Sequence, residues 1–218
     1  MGTSERRARE REELREKILR AARELFVDKG FEAVTLRTIA EAVEYSPAAL
    51  YSYFPDKEAL IFALVQEDFE AFAVHFRALV RVRDPIQRLV AIGETYIRFA
   101  VEHPNHYRLM FMSTHAAVID DRPEKYEHRG DPARDAYAFL KWTVEQAMDA
   151  GCLRPEFCDA ELVCQSLWAC IHGVAALEIT HRRDAWVDWR PLADRVGAVT
   201  GALVAGMTCK SAAAPVEV

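Results

Sequence analysis

The segment from Thr35 to Lys57, TLRTIAEAVEYSPAALYSYFPDK, constrains the fold more than any other part of the chain. Thr35 is a favoured helix-capping residue, and apolar residues at helical spacing follow it as far as Val43. Ser46 is a second capping residue, with Pro47 at the first helical position behind it. Because only residues 44–46 separate the two sets of signals, the segment predicts two short helices joined by a tight turn.

Helical periodicity and capping residues continue along the rest of the chain, and no segment alternates as a strand would. An amphipathic helix is predicted from about Glu12 to Lys29, and a long one from Asp56 to Arg81. A loop is predicted at 113–130. We therefore expect an all-α fold of about nine helices, the later ones at 84–103, 104–112, 131–151, 159–181 and 191–207. The predicted domains are 1–57 and 58–210, followed by a disordered tail at 211–218.

The net charge of −6 is unfavourable for a protein that binds DNA, but the charge is unevenly distributed. Residues 1–57 hold 11 Lys/Arg and 11 Asp/Glu, so this segment is neutral. The other 17 basic and 23 acidic residues lie at 58–218. Four N-terminal arginines suit phosphate neutralisation or entry into a minor groove, and they equally suit a solvated tail: Arg6, Arg7, Arg9 and Arg11.

The sequence offers little support for enzyme chemistry. It contains no glycine-rich phosphate loop, no G-x-S-x-G segment and no H-E-x-x-H segment. His103 and His106 are separated by Pro104, which opens a helix and disfavours a shared metal ion. We therefore expect no catalytic residue, metal or cofactor, and the chain is predicted not to be an enzyme.

Cysteine usage and hydropathy indicate a cytoplasmic protein. The five cysteines match no zinc spacing, so reduced and mostly buried thiols are expected, with redox sensing as the alternative: Cys152, Cys158, Cys164, Cys170 and Cys209. No uninterrupted apolar run reaches about 18 residues, and the N-terminus is charged. Neither a membrane span nor a signal peptide is therefore expected.

The segment Thr35–Lys57 resembles the DNA-binding helix–turn–helix of TetR-family regulators. That family's pattern reads roughly T-hydrophobic-x-x-IA-x-x-x-G-V-S-x-x-x-LY-x-YF-x-x-K-x-x-L. Ten residues lie in register with it: Thr35, Ile39, Ala40, Ser46, Leu50, Tyr51, Tyr53, Phe54, Lys57 and Leu60. Two short helices also occur in bundles that bind no DNA, so the ungapped register is what favours DNA binding. Glu44 stands where the pattern has glycine. If the turn adopts a left-handed conformation here, Glu44 would carry strain of about 1–2 kcal/mol.

The resemblance implies which residues contact DNA. Four are expected to contact phosphates and so position the protein: Thr35, Tyr51, Tyr53 and Lys57. Arg37 is expected to reach a guanine edge with its guanidinium. The outward-facing residues of the recognition helix form a small, weakly polar reading surface: Ser46, Pro47, Ala48 and Ser52.

Two segments of the second half carry a further resemblance. WACIHGVAALE, at 168–178, is similar to the W-x-x-x-HG segment of the WHG-type C-terminal regulatory domain of some TetR-family proteins. HPNHYRLMF, at 103–111, resembles the segment that precedes it. The resemblances imply a homodimeric repressor that binds a palindromic operator in double-stranded DNA. A small-molecule effector in the C-terminal domain would move the long helix beginning at Asp56 and respace the recognition helices.

Aromatic and polar side chains at inward-facing helical positions are the candidates for the effector pocket. The same residues would also suit an ordinary hydrophobic core. Their aromatic character favours an apolar or planar effector. The predicted pocket residues are Phe72, Phe76, Tyr96, Phe99, Tyr107, Phe111, Tyr137, Trp142 and His172.

The segment 159–181 is apolar almost all round, which favours burial on several sides. Small residues here and in the last helix would let helices approach closely in a four-helix interface between two copies. The alternative is that both helices complete a monomeric core. The predicted interface residues are Trp168, Ala169, Gly173, Ala176, Ala198, Gly201, Ala202 and Ala205.

The sequence as a whole predicts a ligand-responsive DNA-binding transcriptional regulator, most simply a homodimeric repressor released from DNA by a small apolar or aromatic molecule. The alternative is an all-helical ligand-binding or adaptor protein that no longer binds DNA. Glu44 and the neutral N-terminal segment support that alternative.

Overall fold

The computed structural model of the protein describes residues 3–112 and 128–209. These residues form nine α-helices and no strand, as predicted, and a single antiparallel bridge joins Leu153 to Thr208. Of the predicted loop at 113–130 only 128–130 is described, and the predicted tail at 211–218 lies outside the described residues. The helices are α1 (Thr3–Lys29), α2 (Leu36–Val43), α3 (Pro47–Tyr51), α4 (Lys57–Arg77), α5 (Pro85–Glu102), α6 (Pro104–Phe111), α7 (Ala136–Asp149), α8 (Ala160–His181) and α9 (Leu192–Met207).

The helix boundaries follow local capping chemistry in most places. The Thr35 hydroxyl accepts a hydrogen bond from the Thr38 N–H, and the Thr38 hydroxyl in turn accepts one from the Thr35 N–H. Ser46 caps α3 by accepting the Ala49 N–H at 3.2 Å. Asp84 and Asp159, which precede α5 and α8, also accept backbone N–H groups. The predicted caps Thr35 and Ser46 are confirmed.

Two predicted helix starts are wrong. Helix α1 begins at Thr3 instead of Glu12, and ion pairs one turn apart support the extra turns, with Arg6–Glu10 at 3.4 Å and Arg9–Glu13 at 3.7 Å. The N-terminal arginines therefore lie on a helix, which is too wide for a minor groove. Helix α7 begins after Asp135, whose carboxylate accepts two backbone N–H groups, and not at residue 131.

The chain divides into two compact units. Among the described residues the first unit comprises 3–69 and 105–112. The centre of its core is formed by four side chains that are at most 4% exposed: Phe26, Ile39, Leu50 and Phe54. Leu60 and Leu64 of α4 belong to the same hydrophobic cluster. The unit therefore extends along α4 past the predicted boundary at Lys57.

The second unit comprises the described residues at 70–104 and 128–209. Helix α5 packs against α7, α8 and α9, and α8 also packs against α7 and α9. A Cβ added at Gly93 of α5 would meet Ile171 and Thr200 side-chain atoms at 3.6 Å, an ordinary van der Waals distance, so α5 lies in contact with both α8 and α9 there. Helix α5 is thus the central helix of this unit.

Helix α8 is the one described helix long and apolar enough to cross a membrane by length and composition. Its most apolar 18-residue window is 28% buried. No membrane span was predicted from the sequence, because polar and charged residues interrupt the apolar run. The helix contains Glu178, which is buried and paired with Arg195 of α9, and this ion pair belongs to the packing of the helical bundle.

Candidate functional site

The turn between α2 and α3 has the left-handed geometry that glycine usually adopts. Glu44 has φ 63° and ψ 39°, and it is the one non-glycine residue with positive φ among those described. The Tyr45 N–H donates to the Ala40 carbonyl at 2.9 Å, and the Glu44 N–H donates to the Glu41 carbonyl at 3.2 Å. These two bonds close the end of α2 and hold Glu44 in this strained conformation.

Helices α2 and α3 bury their apolar sides and leave the predicted DNA-contacting side chains at the surface. Leu36, Ile39 and Val43 of α2 and Leu50 of α3 point into the core of the first unit. Two predicted phosphate contacts, Tyr53 and Lys57, are half-buried. The remaining predicted residues are exposed: Thr35, Arg37, Ser46, Pro47, Ala48, Tyr51 and Ser52. The structure thus brings these residues together around the motif.

Two cations and one tyrosine among these residues have partners within the protein, in addition to the capping bonds of Thr35 and Ser46 and the bond from the Ser52 hydroxyl to the Ala49 carbonyl. The Arg37 guanidinium pairs with Glu41 at 3.3 Å. Because the Arg37 side chain is 79% exposed, this ion pair is weak and the guanidinium can leave Glu41 for another partner. The Lys57 ammonium donates to the Phe31 carbonyl, leaving further N–H groups of this three-donor group. Arg11 lies over the Tyr53 ring at 5.4 Å. Positive charge from α1 therefore reaches the motif.

A second lysine near the motif was not identified from the sequence. Lys17 of α1 donates to the Val43 carbonyl at 2.9 Å and lies 5.7 Å from the Tyr45 ring. A cation at this place satisfies a free carbonyl at the C-terminus of α2 and interacts favourably with the helix dipole. The sequence pattern around Lys17 does not predict this contact, because its partner Val43 lies 26 residues away in the chain.

A buried carboxylate joins three helices of the first unit. Asp68 of α4 is 1% exposed, and Arg23 of α1 binds it at 2.5 Å. The Nδ1 atom of His106, on α6, lies 2.8 Å from the same oxygen of Asp68. This cluster was not predicted. Burial of the carboxylate is tolerated because both partners supply hydrogen bonds.

Four of the predicted pocket residues form one aromatic cluster in the second unit. The ring centroid of Phe72 lies 4.8 Å from Phe76, 5.5 Å from Tyr96 and 4.8 Å from Phe99. All four side chains are at most 5% exposed. The rings meet edge-to-face, which is a favourable arrangement for aromatic pairs.

A chain of polar contacts borders this cluster. The Trp168 indole N–H donates to the Tyr96 hydroxyl at 3.1 Å, and that hydroxyl lies 3.0 Å from Nδ1 of His172. Burial lowers the pKa of His172, which favours the neutral ring, and in the tautomer protonated at Nε2 the Nδ1 atom accepts the Tyr96 O–H. Trp168 was predicted at a dimer interface, and its half-exposed ring also takes part in these polar contacts with Tyr96 and His172.

Tyr137 extends the polar chain towards solvent. Its ring lies 6.1 Å from Trp168, and its hydroxyl donates to Glu161 at 2.6 Å. Burial and the Glu161 carboxylate raise the pKa of Tyr137, so the phenol stays protonated. The bonds from Tyr137 and then Lys141 lower the pKa of Glu161. Glu161 was not among the predicted residues.

The contacts of three further predicted pocket residues involve other groups. The Trp142 ring is covered by the Arg88 guanidinium at 4.6 Å. Tyr107 and Phe111 belong to the first unit, where their rings lie 5.0 Å apart. Among the described residues no group of His, Cys, Asp or Glu has metal-binding geometry.

The predicted interface residues lie on a surface that the second unit leaves open. Helix α8 exposes 61% of Leu162 and 46% of Leu177. Gly173 and Gly201 have no atom within 4 Å of an added Cβ. The other predicted residues are exposed or half-buried: Trp168, Ala169, Ala176, Ala198, Ala202 and Ala205.

Comparison with known proteins identifies the family. The sequence profile of bacterial regulatory proteins of the tetR family matches residues 18–64, and that of the tetracyclin repressor-like C-terminal domain matches residues 89–199. The second profile alone spans half of the chain. The chain belongs to the TetR family. The WHG-type subdivision of the C-terminal domain stays a prediction.

Individual TetR-family relatives match over shorter stretches. The HTH-type transcriptional regulator UidR of Escherichia coli K12 is 41% identical over 88 residues, which are 40% of this chain and 39% of UidR. The HTH-type transcriptional activator FasR of Mycolicibacterium smegmatis is 34% identical over 102 residues, 46% of this chain and 47% of FasR. The chain thus spans less than half the length of these relatives.

One solved structure matches the fold over nearly the whole TetR-family chain. The crystal structure of a TetR family transcription regulator from Marinobacter aquaeolei VT8 superposes with a TM-score of 0.70. It covers 92% of this chain and 98% of that one, at 23% sequence identity. The similarity establishes the all-helical fold.

Proposed function

We propose that this TetR-family protein is a DNA-binding transcriptional regulator, and specifically a homodimeric repressor that a small molecule releases from a palindromic operator. The observation that carries the proposal is the exposed helix–turn–helix, in which α2 and α3 bury one side and present polar and small side chains on the other. Such a protein acts in the cytoplasm, where bacterial DNA lies.

DNA binding by this surface would combine positioning with modest base readout. Thr35 and Tyr51 are exposed beside the motif and can donate hydroxyl hydrogen bonds to phosphates. Arg37 can leave its exposed ion pair with Glu41 and bind a guanine edge through two N–H groups. Ala48 on α3 suits contact with a thymine methyl group.

The open surface of α8 and α9 supports a dimer. Apolar side chains such as Leu162 and Leu177 lie exposed between small residues, which favours close packing of a second copy. A two-fold dimer presents two motifs to half-sites about 34–36 Å apart along DNA. This spacing makes DNA affinity sensitive to small movements of either motif.

Effector binding is proposed in the second unit, around the Phe72–Tyr96–Phe99 cluster and its polar border. The buried rings suit an apolar or planar molecule, and the Tyr96–His172 pair supplies a polar contact. Phe72 and Phe76 lie on α4, which also supplies Asp68 to the first unit. Movement of α4 is therefore the proposed route from effector to DNA, and it requires the effector to bind one arrangement more tightly.

A second candidate function is an effector-binding protein that does not bind DNA. The left-handed Glu44 favours it, because this carboxylate is exposed beside the recognition helix and repels phosphates. The two functions differ in the salt dependence of DNA affinity, which is steep when Lys and Arg displace counterions.

The experiment is a binding titration on the protein's own upstream DNA and on random DNA at several salt concentrations. Arg37→Ala should weaken binding mainly to the operator, whereas Lys57→Ala should weaken both DNAs similarly. Arg81→Ala, an exposed cation of the second unit, is the matched control and should change neither. Absence of salt-dependent binding by the unaltered protein would instead support the effector-binding function.

A further inference from the structure

Two cysteines, distant in sequence, occupy directly opposite positions on neighbouring backbone segments. The antiparallel bridge pairs Leu153 with Thr208. The Arg154 N–H donates to the Met207 carbonyl at 2.9 Å, and the Cys209 N–H donates to the Cys152 carbonyl at 3.0 Å. In an antiparallel arrangement, this register places Cys152 across from Cys209.

The Cα separation expected at this pair suits a disulfide, whereas opposite Cβ atoms of a hydrogen-bonded pair lie about 5.5 Å apart, so the two segments must move about 1 Å closer for the bond to form. Opposite residues of the hydrogen-bonded kind have Cα atoms about 5.5 Å apart, within the range of about 4.4–6.8 Å found in disulfides. Their side chains project from the same face of the paired segments. Leu153 is buried, so its neighbour Cys152 and the opposite Cys209 lie on the other face, and Cys209 is exposed.

Each thiol now makes only a weak contact with a main-chain carbonyl. Cys152 Sγ lies 3.9 Å from the Ala150 oxygen, and Cys209 Sγ lies 3.3 Å from the Leu153 oxygen. Rotation about the Cα–Cβ bonds would turn the two sulfur atoms towards each other. Little is lost by that rotation, because a thiol is a weak hydrogen-bond donor.

The other three cysteines lack this arrangement. Cys164 is fully buried, and burial raises the pKa of its thiol to about 12, so it stays protonated and unreactive. Cys164 and Cys170 are six residues apart on α8, a rise of about 9 Å, which is too far for a bond. Cys158 and Cys170 are exposed, and neither has a cysteine hydrogen-bonded to its backbone. The prediction of mostly buried thiols is therefore wrong.

We infer that Cys152 and Cys209 form a reversible intrachain disulfide when the protein meets hydrogen peroxide. The more exposed Cys209 sulfur attacks the peroxide, so that an S–O bond forms, the O–O bond breaks and the thiol proton leaves with hydroxide as water. The Cys152 sulfur then attacks the sulfenic acid, forming the S–S bond and releasing a second water. The two sulfur atoms together lose two electrons, which reduce the peroxide.

The bond would close a loop that contains all of α8 and α9. It would fasten the chain just after α7 to the chain just after α9, at residues that already pair. A disulfide across a loop of this size stabilises a fold mainly by restricting the unfolded chain. The inference concerns the second unit alone and holds whether or not the protein binds DNA.

The test treats the purified full-length protein with one equivalent of hydrogen peroxide. Expected results are a mass lower by two hydrogen atoms, a linked pair of peptides containing Cys152 and Cys209, and full reversal by dithiothreitol. The melting temperature should rise by about 5 °C or more. Cys152→Ser and Cys209→Ser should each abolish the mass change, while Cys158→Ser and Cys170→Ser, at exposed cysteines, should keep it.

Other results of the same experiment would overturn the inference. These are a bond between other cysteines, a disulfide between two copies through Cys170, or oxygen addition to single sulfur atoms without loss of a second thiol. Absence of any reaction would also overturn it. The peptide map of the unaltered protein decides among these outcomes even if a serine variant folds poorly.

Discussion

The two units of the protein differ in what each leaves at its surface. The first unit buries its apolar side chains within one cluster and presents small, polar and tyrosine side chains around the helix–turn–helix. The second unit buries an aromatic cluster, yet leaves Leu162 and Leu177 of α8 open. The first surface suits a hydrated, charged partner such as DNA, and the second suits another apolar protein surface.

Each unit also contains a buried carboxylate, and the two differ in reach. Asp68 joins α1, α4 and α6 through Arg23 and His106. Glu178 pairs with Arg182, the residue that follows its own helix, at 3.2 Å, and with Arg195 of the neighbouring α9. Asp68 therefore connects three helices, whereas Glu178 connects only two, α8 and α9.

The largest effect is expected from Asp68→Ala. Removing the buried carboxylate leaves the partly buried Arg23 guanidinium without its anion, which should lower the free energy of unfolding by about 3 kcal/mol. Chemical denaturation measures the loss. Glu70→Ala removes an exposed carboxylate from the same helix and should change stability by no more than about 0.5 kcal/mol. Equal effects of the two changes would show that the Asp68 cluster contributes little.

A smaller effect is expected from Leu177→Glu, which places a charge on the open surface of α8. In the proposed dimer this charge would be buried, and the dissociation constant should rise at least about tenfold, or about 1.4 kcal/mol. Sedimentation measures it. Val80→Glu, at another exposed apolar residue of the second unit, should leave the dimer intact. If the unaltered protein sediments as a monomer, the proposed dimer through the α8 surface is contradicted.

Local signals in the sequence predicted the elements well, and distant contacts escaped them. Thr35 and Ser46 act on N–H groups three residues away, so a short pattern suffices to find them. Asp68 and Arg23 are 45 residues apart, and no periodicity links them. Periodicity likewise showed that Tyr107 faces a core without showing which one, because an inward-facing aromatic has the same pattern in either unit.

Glu44 lies in a turn that the sequence pattern located and that has left-handed backbone geometry in the structure. Glu44→Gly should raise the free energy of unfolding by about 1 kcal/mol, since glycine adopts the left-handed turn without the Cβ penalty. It should also tighten binding to random DNA, because the carboxylate beside the recognition helix is removed. Glu44→Gln removes the charge and keeps the strain, so it should tighten DNA binding without the gain in stability. A variant pair with identical stabilities would contradict the strain.

The smallest effect concerns His172 and the pH dependence of the second unit. The unfolded chain binds a proton on this ring at its ordinary pKa of about 6.5, whereas burial lowers the pKa in the folded protein. Below about pH 6.5 the unfolded state therefore holds more protons, and the free energy of unfolding falls as the pH falls. The half-exposed ring is screened by solvent, so the contribution is small. His172→Gln keeps a hydrogen-bonding partner for Tyr96 and cannot titrate. Denaturation of both proteins at pH 7.5 and 5.5 should show a smaller loss of stability in the variant, and parallel losses would exclude His172 as a source of the pH dependence.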